Sequence, residues 1–327
     1  MFFHTKAHAF KASGSLHADK VGMDMKTGAI FPDRLRQGDA VGIVAPASPF
    51  DRRRFDQGLR WLESAGYHPV VPEGLFDRQG YLAGSDKHRA DLINRFFMDS
   101  SVSAILCARG GYGSMRMLPF LDYDAIRRHP KILAGFSDIT ALLNAVSFKS
   151  RLVTFHGPNV TTLGGRDSRT RDSFVGVLAG GSPVQMVVQE GVTLCRGRAA
   201  GIVTGGNLTT LCHLTGTPFE PDYNNCILLL EDRGEAPYRI DRMLSQMKMA
   251  GCFDNLAGIV LGSFEQCGTP GAVLDVFREM FGDFSIPVLD GLDAGHGMTN
   301  LTVPIGLAAT LDADRKTLTF DRAATGN

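Results

Sequence analysis

The sequence predicts an α/β protein of two domains, and three observations carry that expectation. From Asp39 onward, short β-branched runs alternate with amphipathic helical stretches, the signature of a parallel sheet covered by helices. Around residues 164–198 the chain becomes polar and glycine-containing, as a connection would. A second series of strands and helices then begins.

The first unit is the clearest. Ala40-Val41-Gly42-Ile43-Val44-Ala45 reads as a buried strand and residues 46–49 as a loop. Residues 51–64 read as a helix with Phe55, Leu59 and Leu62 on one face, stopped by Gly66. Strands follow at 69–71, 102–108, 132–136 and 152–155, with a helix over 87–98. These elements make residues 36–160 one parallel-sheet domain, expected to be flavodoxin-like or Rossmann-like. Residues 161–198 are the expected connecting region, with a short apolar stretch at 184–188. Residues 199–327 are expected to form a mixed α/β domain rich in strands, at 200–203, 227–230, 258–261, 287–289, 307–311 and 317–320. Its helices are expected from Asn207, over 238–250 and over 273–280. Residues 1–35 read as an N-terminal extension. Its first part mixes His4, His8 and His17 with lysines and small residues and lacks the apolar core of a secretory signal.

The 327 residues carry 34 basic and 34 acidic side chains, so no basic excess points to nucleic acid or a membrane surface. A small-molecule partner is expected instead. No apolar run approaches a membrane span. Cys107, Cys195, Cys212, Cys226, Cys252 and Cys267 form no C-x-x-C pair and read as buried thiols of a reducing compartment, which predicts a cytoplasmic protein.

Gly135-Phe136-Ser137-Asp138 follows an apolar strand and precedes a helical pattern. A serine at such a strand-to-helix elbow is placed like a nucleophile, and the helix start offers N–H groups to a developing oxyanion. The fit is incomplete, because Ile139 stands where G-x-S-x-G has its last glycine, and a serine capping an ordinary helix fits the same segment. In parallel sheets, ligands collect beyond the carboxyl ends of strands. Pro46-Ala47-Ser48, Arg109-Gly110-Gly111-Tyr112-Gly113, Glu231-Asp232 and Gly295-His296-Gly297 also sit at such ends. The glycine loop lacks the spacing of nucleotide-binding loops, but it could approach a reacting carbonyl and donate an N–H to it.

Glu231 ends an apolar strand, where its carboxylate needs a partner: a histidine, or an arginine such as Arg233 or Arg239. Asp232 and Glu235 are rivals that spacing does not rank. For a general base, His296 between two glycines and His156 after a strand are equal candidates by position. His213 reads as a helix residue packed in the second domain. The order Ser137, Glu231, His296 matches one arrangement of the serine triad and places nucleophile and base on different domains, with the site in the cleft between them. No H-E-x-x-H or other compact metal cluster is present.

With these blocks in order, the chain resembles the LD-carboxypeptidase family of serine peptidases, which includes muramoyltetrapeptide carboxypeptidases and microcin C immunity peptidases. The likeness runs from about Val41 to Gly306 and is strongest at Arg109-Gly110-Gly111-Tyr112-Gly113, Gly135-Phe136-Ser137-Asp138, Gly205-Gly206-Asn207-Leu208, Leu230-Glu231-Asp232 and Gly295-His296-Gly297. The resemblance implies Ser137 as nucleophile, Glu231 as acid and His296 as base, which breaks the tie with His156. It implies an oxyanion hole from backbone N–H groups of Gly111 and Asp138. It also implies no metal or cofactor, a homodimer, and removal of D-alanine from the tetrapeptide stem of recycled cell-wall fragments. Arg109, Gly110 and Tyr112 are candidates for substrate contact, with Arg109 expected to help hold the glycine loop. The immunity branch, which cleaves peptidyl nucleotides, is the alternative within the family. Trp61, the single tryptophan, lies on the first helix and reads as packing. A non-catalytic muropeptide binder is the alternative of another class.

Overall fold

The computed structural model describes residues 28–326, so most of the expected N-terminal extension lies outside the described residues. The first sheet contains β1 (Ala40–Val44), β2 (His68–Val70), β3 (Val102–Cys107), β4 (Ile132–Gly135) and β5 (Thr154–His156). All five are parallel, in the order β2-β1-β3-β4-β5, which is the flavodoxin-like order. The chain reverses its direction of travel across the sheet between β1 and β3. The carboxyl ends of β1, β3 and β4 therefore open onto one crevice at that switch point.

The second sheet contains β6 (Gln185–Val187), β7 (Thr193–Cys195), β8 (Arg198–Asn207), β9 (Cys226–Arg233), β10 (Gly258–Glu265) and β11 (Val288–Gly295). The chain then lays β12 (Val303–Ile305) antiparallel against β5 of the first sheet before returning as β13 (Ala308–Asp312) and β14 (Thr317–Phe320). The order is β6-β14-β13-β8-β9-β10-β11-β7, with β8 to β11 parallel and the outer strands antiparallel.

Strand parity decides what each face does. Along β9, Ile227 and Leu229 join a core that continues under the first sheet through Val41, Ile43 and Phe155, whereas Leu228 and Leu230 face the helices Pro237–Met249 and Pro270–Phe281. Glu231 shares the parity of the first group and Asp232 that of the second. Helix starts follow their capping residues: Asp51 accepts from the Arg54 N–H at 2.8 Å, and Asp167 from that of Thr170 at 2.9 Å. Among the described residues no helix is long and apolar enough to cross a membrane.

Several stretches depart from the sequence expectation, β12 among them. The connecting region holds a helix, Ser168–Ala179, which buries Phe174, Val177 and Leu178. Its strands β6 and β7 close the two edges of the second sheet. Residues 30–35, assigned to the extension, are packed on the body: Ile30 bridges Leu152, and the Leu35 N–H donates to Leu178 O at 2.8 Å.

Candidate active site

The elbow forms because β4 runs straight into a helical start. Phe136 is extended (φ −152°), Ser137 turns to φ +69°, and a short 3₁₀ turn leads into the helix Thr140–Ser150. A non-glycine residue at that φ is strained, and neighbours hold it there. Asn159, following β5, brackets Phe136 by accepting from its N–H at 3.3 Å. Gly110 leaves room for the elbow, since a Cβ there would lie 2.7 Å from Ser137 Cβ.

His296 Nε2 lies 3.2 Å from Ser137 Oγ, and His296 Nδ1 lies 2.6 Å from Glu231 Oε2. The carboxylate fixes the tautomer: the proton sits on Nδ1, which leaves the Nε2 lone pair aimed at the hydroxyl. Glu231 is fully buried and the His296 side chain is 13 % exposed, so this pair is shielded from water while the nucleophile end opens to the cleft. Glycine at 295 (φ +105°) is required because a Cβ would collide with Glu231 Oε2. The His296 loop is tied down from both sides. Gly297 N–H donates to Ser263 Oγ at 2.8 Å, Gly295 N–H donates to Asn300 Oδ1 at 2.8 Å, and Arg166 donates to Gly297 O and to Met298 O. The helix from the expected connecting region adds Thr170 and Ser173, which accept from the N–H groups of Asn300 and Thr302.

The rivals of Glu231 and His296 are occupied elsewhere. Asp232, on the opposite strand face, accepts from Asn207 Nδ2 and from the N–H and hydroxyl of Thr209, capping the helix Leu208–Leu214, and burial raises its pKa. Glu235 faces Arg239 at 3.6 Å. His156 is fully buried, and neither of its ring nitrogens has a hydrogen-bond partner among the described residues. Both it and His296 pack on the Phe136 ring, at 6.2 and 4.9 Å between centroids. Burial pulls the His156 pKa down to about 4, so it is neutral at physiological pH. His213 lies in a helix as expected but is exposed rather than packed.

The glycine loop after β3 and the loop after β1 meet beside Ser137. Tyr112 N–H donates to Ser48 Oγ at 3.1 Å, and Arg109 donates to Pro49 O at 2.7 Å, holding one loop against the other. Gly110 and Gly111 line the nucleophile cleft, but Tyr112 does not; its half-exposed ring stands 5.7 Å from that of Tyr81. The Asp138 side chain accepts from Ser114 N–H at 2.8 Å and faces away from the cleft, and burial raises its pKa. Its backbone N–H lies in the first helical turn, where N–H groups lack intrahelical acceptors.

Arg89 escaped the sequence reading. It is buried in the helix Asp86–Met98 and donates to Pro46 O and Gly113 O, one carbonyl from each loop, while pairing with Asp86. The available signal was a single cation on an apolar stripe with Ile93 and Phe97, at four-residue spacing.

Comparison with known proteins finds matches over both halves of the chain. The LD-carboxypeptidase N-terminal domain pattern covers residues 41–157, and the LD-carboxypeptidase C-terminal domain pattern covers residues 200–311. The probable murein peptide carboxypeptidase of Bacillus subtilis (strain 168) is 37 % identical over 302 residues, covering 89 % of this chain and 94 % of the relative. Among solved structures, an MccF-like protein of Bacillus anthracis superposes with a TM-score of 0.85 at 27 % identity, covering 90 % of this chain and all of that one. The muramoyltetrapeptide carboxypeptidase of Oxalobacter formigenes does so with a TM-score of 0.78 at 27 % identity, over 88 % of this chain and all of that one. The chain belongs to the LD-carboxypeptidase family of peptidases.

Proposed function

We propose that the protein is a serine LD-carboxypeptidase that removes the terminal D-alanine from murein tetrapeptides during cell-wall recycling. The observation that carries the reading is the relay from the strained Ser137 through His296 to the buried Glu231, at 3.2 and 2.6 Å. Ser137 Oγ attacks the carbonyl carbon of the amide between the L-centre and D-alanine as His296 Nε2 takes the hydroxyl proton. The backbone N–H groups of Gly111 and Asp138 receive the developing oxyanion. Collapse breaks the C–N bond, and the imidazolium gives its proton to the departing amine. Water then enters, His296 takes its proton, and hydrolysis of the ester frees Ser137. Glu231, hydrogen-bonded to His296 Nδ1, holds the ring in place and stabilises the imidazolium.

The names of the Bacillus subtilis and Oxalobacter formigenes relatives support a murein peptide as substrate. The six free cysteines, five of them buried, support a cytoplasmic setting. The decisive measurement is D-alanine release from a muropeptide tetrapeptide in EDTA. Release is expected to persist with chelator and to fall at least ~10³-fold in Ser137→Ala. Folded wild-type protein that releases none, yet cleaves a peptidyl nucleotide, would instead assign the MccF-type reaction.

A further inference from the structure

The cleft at Ser137 encloses about 320 Å³, and its lining includes three arginines, Arg54, Arg109 and Arg233, and no acidic residue. The three are not equivalent. Arg109 is engaged with Pro49 O. The guanidinium groups of Arg54 and Arg233, both on exposed residues, have no hydrogen-bond or ion-pair partner among the described residues. Both also line the adjoining cleft of about 700 Å³, and His296 is common to the two clefts. These cations therefore flank the junction beside the base.

Their positions follow from the fold. Arg54 belongs to the first turn of the helix Arg52–Ser64, over the first sheet. Arg233 follows Glu231 by two residues on β9, so it shares that face of the strand one step nearer the mouth. Each half of the molecule thus supplies one unpaired cation to the nucleophile cleft.

We propose that Arg54 and Arg233 clamp the terminal carboxylate of the peptide cleaved at Ser137, and so restrict cleavage to the last amide of a chain. The proposal rests on the reading of Ser137 as nucleophile. In a substrate whose final residue is the leaving group, the carboxylate carbon is three bonds from the carbonyl carbon under attack, within about 4 Å of it. Only cations that share the nucleophile's own cleft can reach it. A guanidinium matches a carboxylate with two parallel donors, and a peptide continuing past this residue would leave both cations desolvated without a partner.

The test uses the full chain with a muropeptide tetrapeptide as the free acid and as its C-terminal amide. Wild type should prefer the acid by roughly 10²-fold in kcat/KM. Arg54→Ala and Arg233→Ala should each raise KM for the acid about tenfold. The double variant should lose the acid-over-amide preference to within about threefold of unity, with partial recovery in the lysine versions. Both positions are exposed, so melting temperatures should stay within about 2 °C of wild type. A double variant that keeps the preference overturns the clamp and leaves the carboxypeptidase reading standing. Wild type that releases nothing from either substrate overturns that reading and the clamp with it.

Discussion

Ser137 carries backbone strain that a smaller residue would relieve. Its φ of +69° is held by the Asn159 bracket on Phe136 and by the close approach of Gly110. A side chain at such a φ costs about 1 kcal/mol, and glycine avoids most of that cost. Ser137→Gly is therefore expected to be more stable than Ser137→Ala by about 1 kcal/mol, although both lack the nucleophile. Equilibrium urea unfolding of the two variants checks this, and equal midpoints would mean that the elbow is relaxed. At this scale the sequence was informative about types and silent about partners. Gly-Phe-Ser-Asp after an apolar run marked the elbow, but position alone left His156 and His296 equal, and only resemblance separated them. What distinguishes them physically is a long-range fact: β12 and the helix Thr140–Ser150 enclose His156, whereas the Gly295 turn carries His296 to the hydroxyl.

Among the elements, the helix Asp86–Met98 sets the two loops of the crevice through one side chain. Arg89 satisfies Pro46 O and Gly113 O and is itself neutralised by Asp86, which also holds Arg116. Arg89→Met would leave two inward carbonyls without their donor and Asp86 with Arg116 alone. A loss of about 3 kcal/mol in unfolding free energy is expected, read by denaturant titration, with part of it recovered in Arg89→Lys. A loss below about 1 kcal/mol would mean that the loops hold themselves. The elements that the sequence hid share a physical cause. The helix Ser168–Ala179 keeps Thr170, Phe174, Val177 and Leu178 on a buried stripe, but four charged or hydroxyl residues in its first turn and Gly176 obscured the period. β6, β7 and β12 have three residues each, too short to show alternation, and exist because neighbouring strands offer them pairing edges. The long strands and amphipathic helices needed no such help, since their own apolar faces specify them.

Across the whole molecule, the catalytic candidates depend on a seam between the two halves that is polar as well as buried. Asn144, on the helix that follows Ser137, exchanges two hydrogen bonds with the backbone of Gly205 on β8, each 3.0 Å, and Thr140 accepts from Asn207 N–H at 3.0 Å. Such pairing resists the change of interdomain angle that would separate Ser137 from His296. His156 lies in this seam, facing Glu231 and His296, with its pKa lowered from 6.5 to about 4 by burial. The folded state thus binds its proton later than the unfolded chain does as pH falls. The stability linked to neutral His156 is complete above pH 6.5 and is lost as pH falls toward 4, by roughly 3 kcal/mol. Asp290 acts in the opposite sense, because burial raises its pKa to about 6 and the folded state takes up its proton first. The two slopes oppose each other between pH 6 and 4, so the wild-type profile alone would hide both. Comparison with His156→Gln exposes the histidine contribution: the stability advantage of wild type over the variant should shrink by about 2.5 kcal/mol between pH 7 and pH 4.5. Urea unfolding of both proteins at the two pH values measures it. A constant difference would show that His156 titrates normally and that the seam admits water.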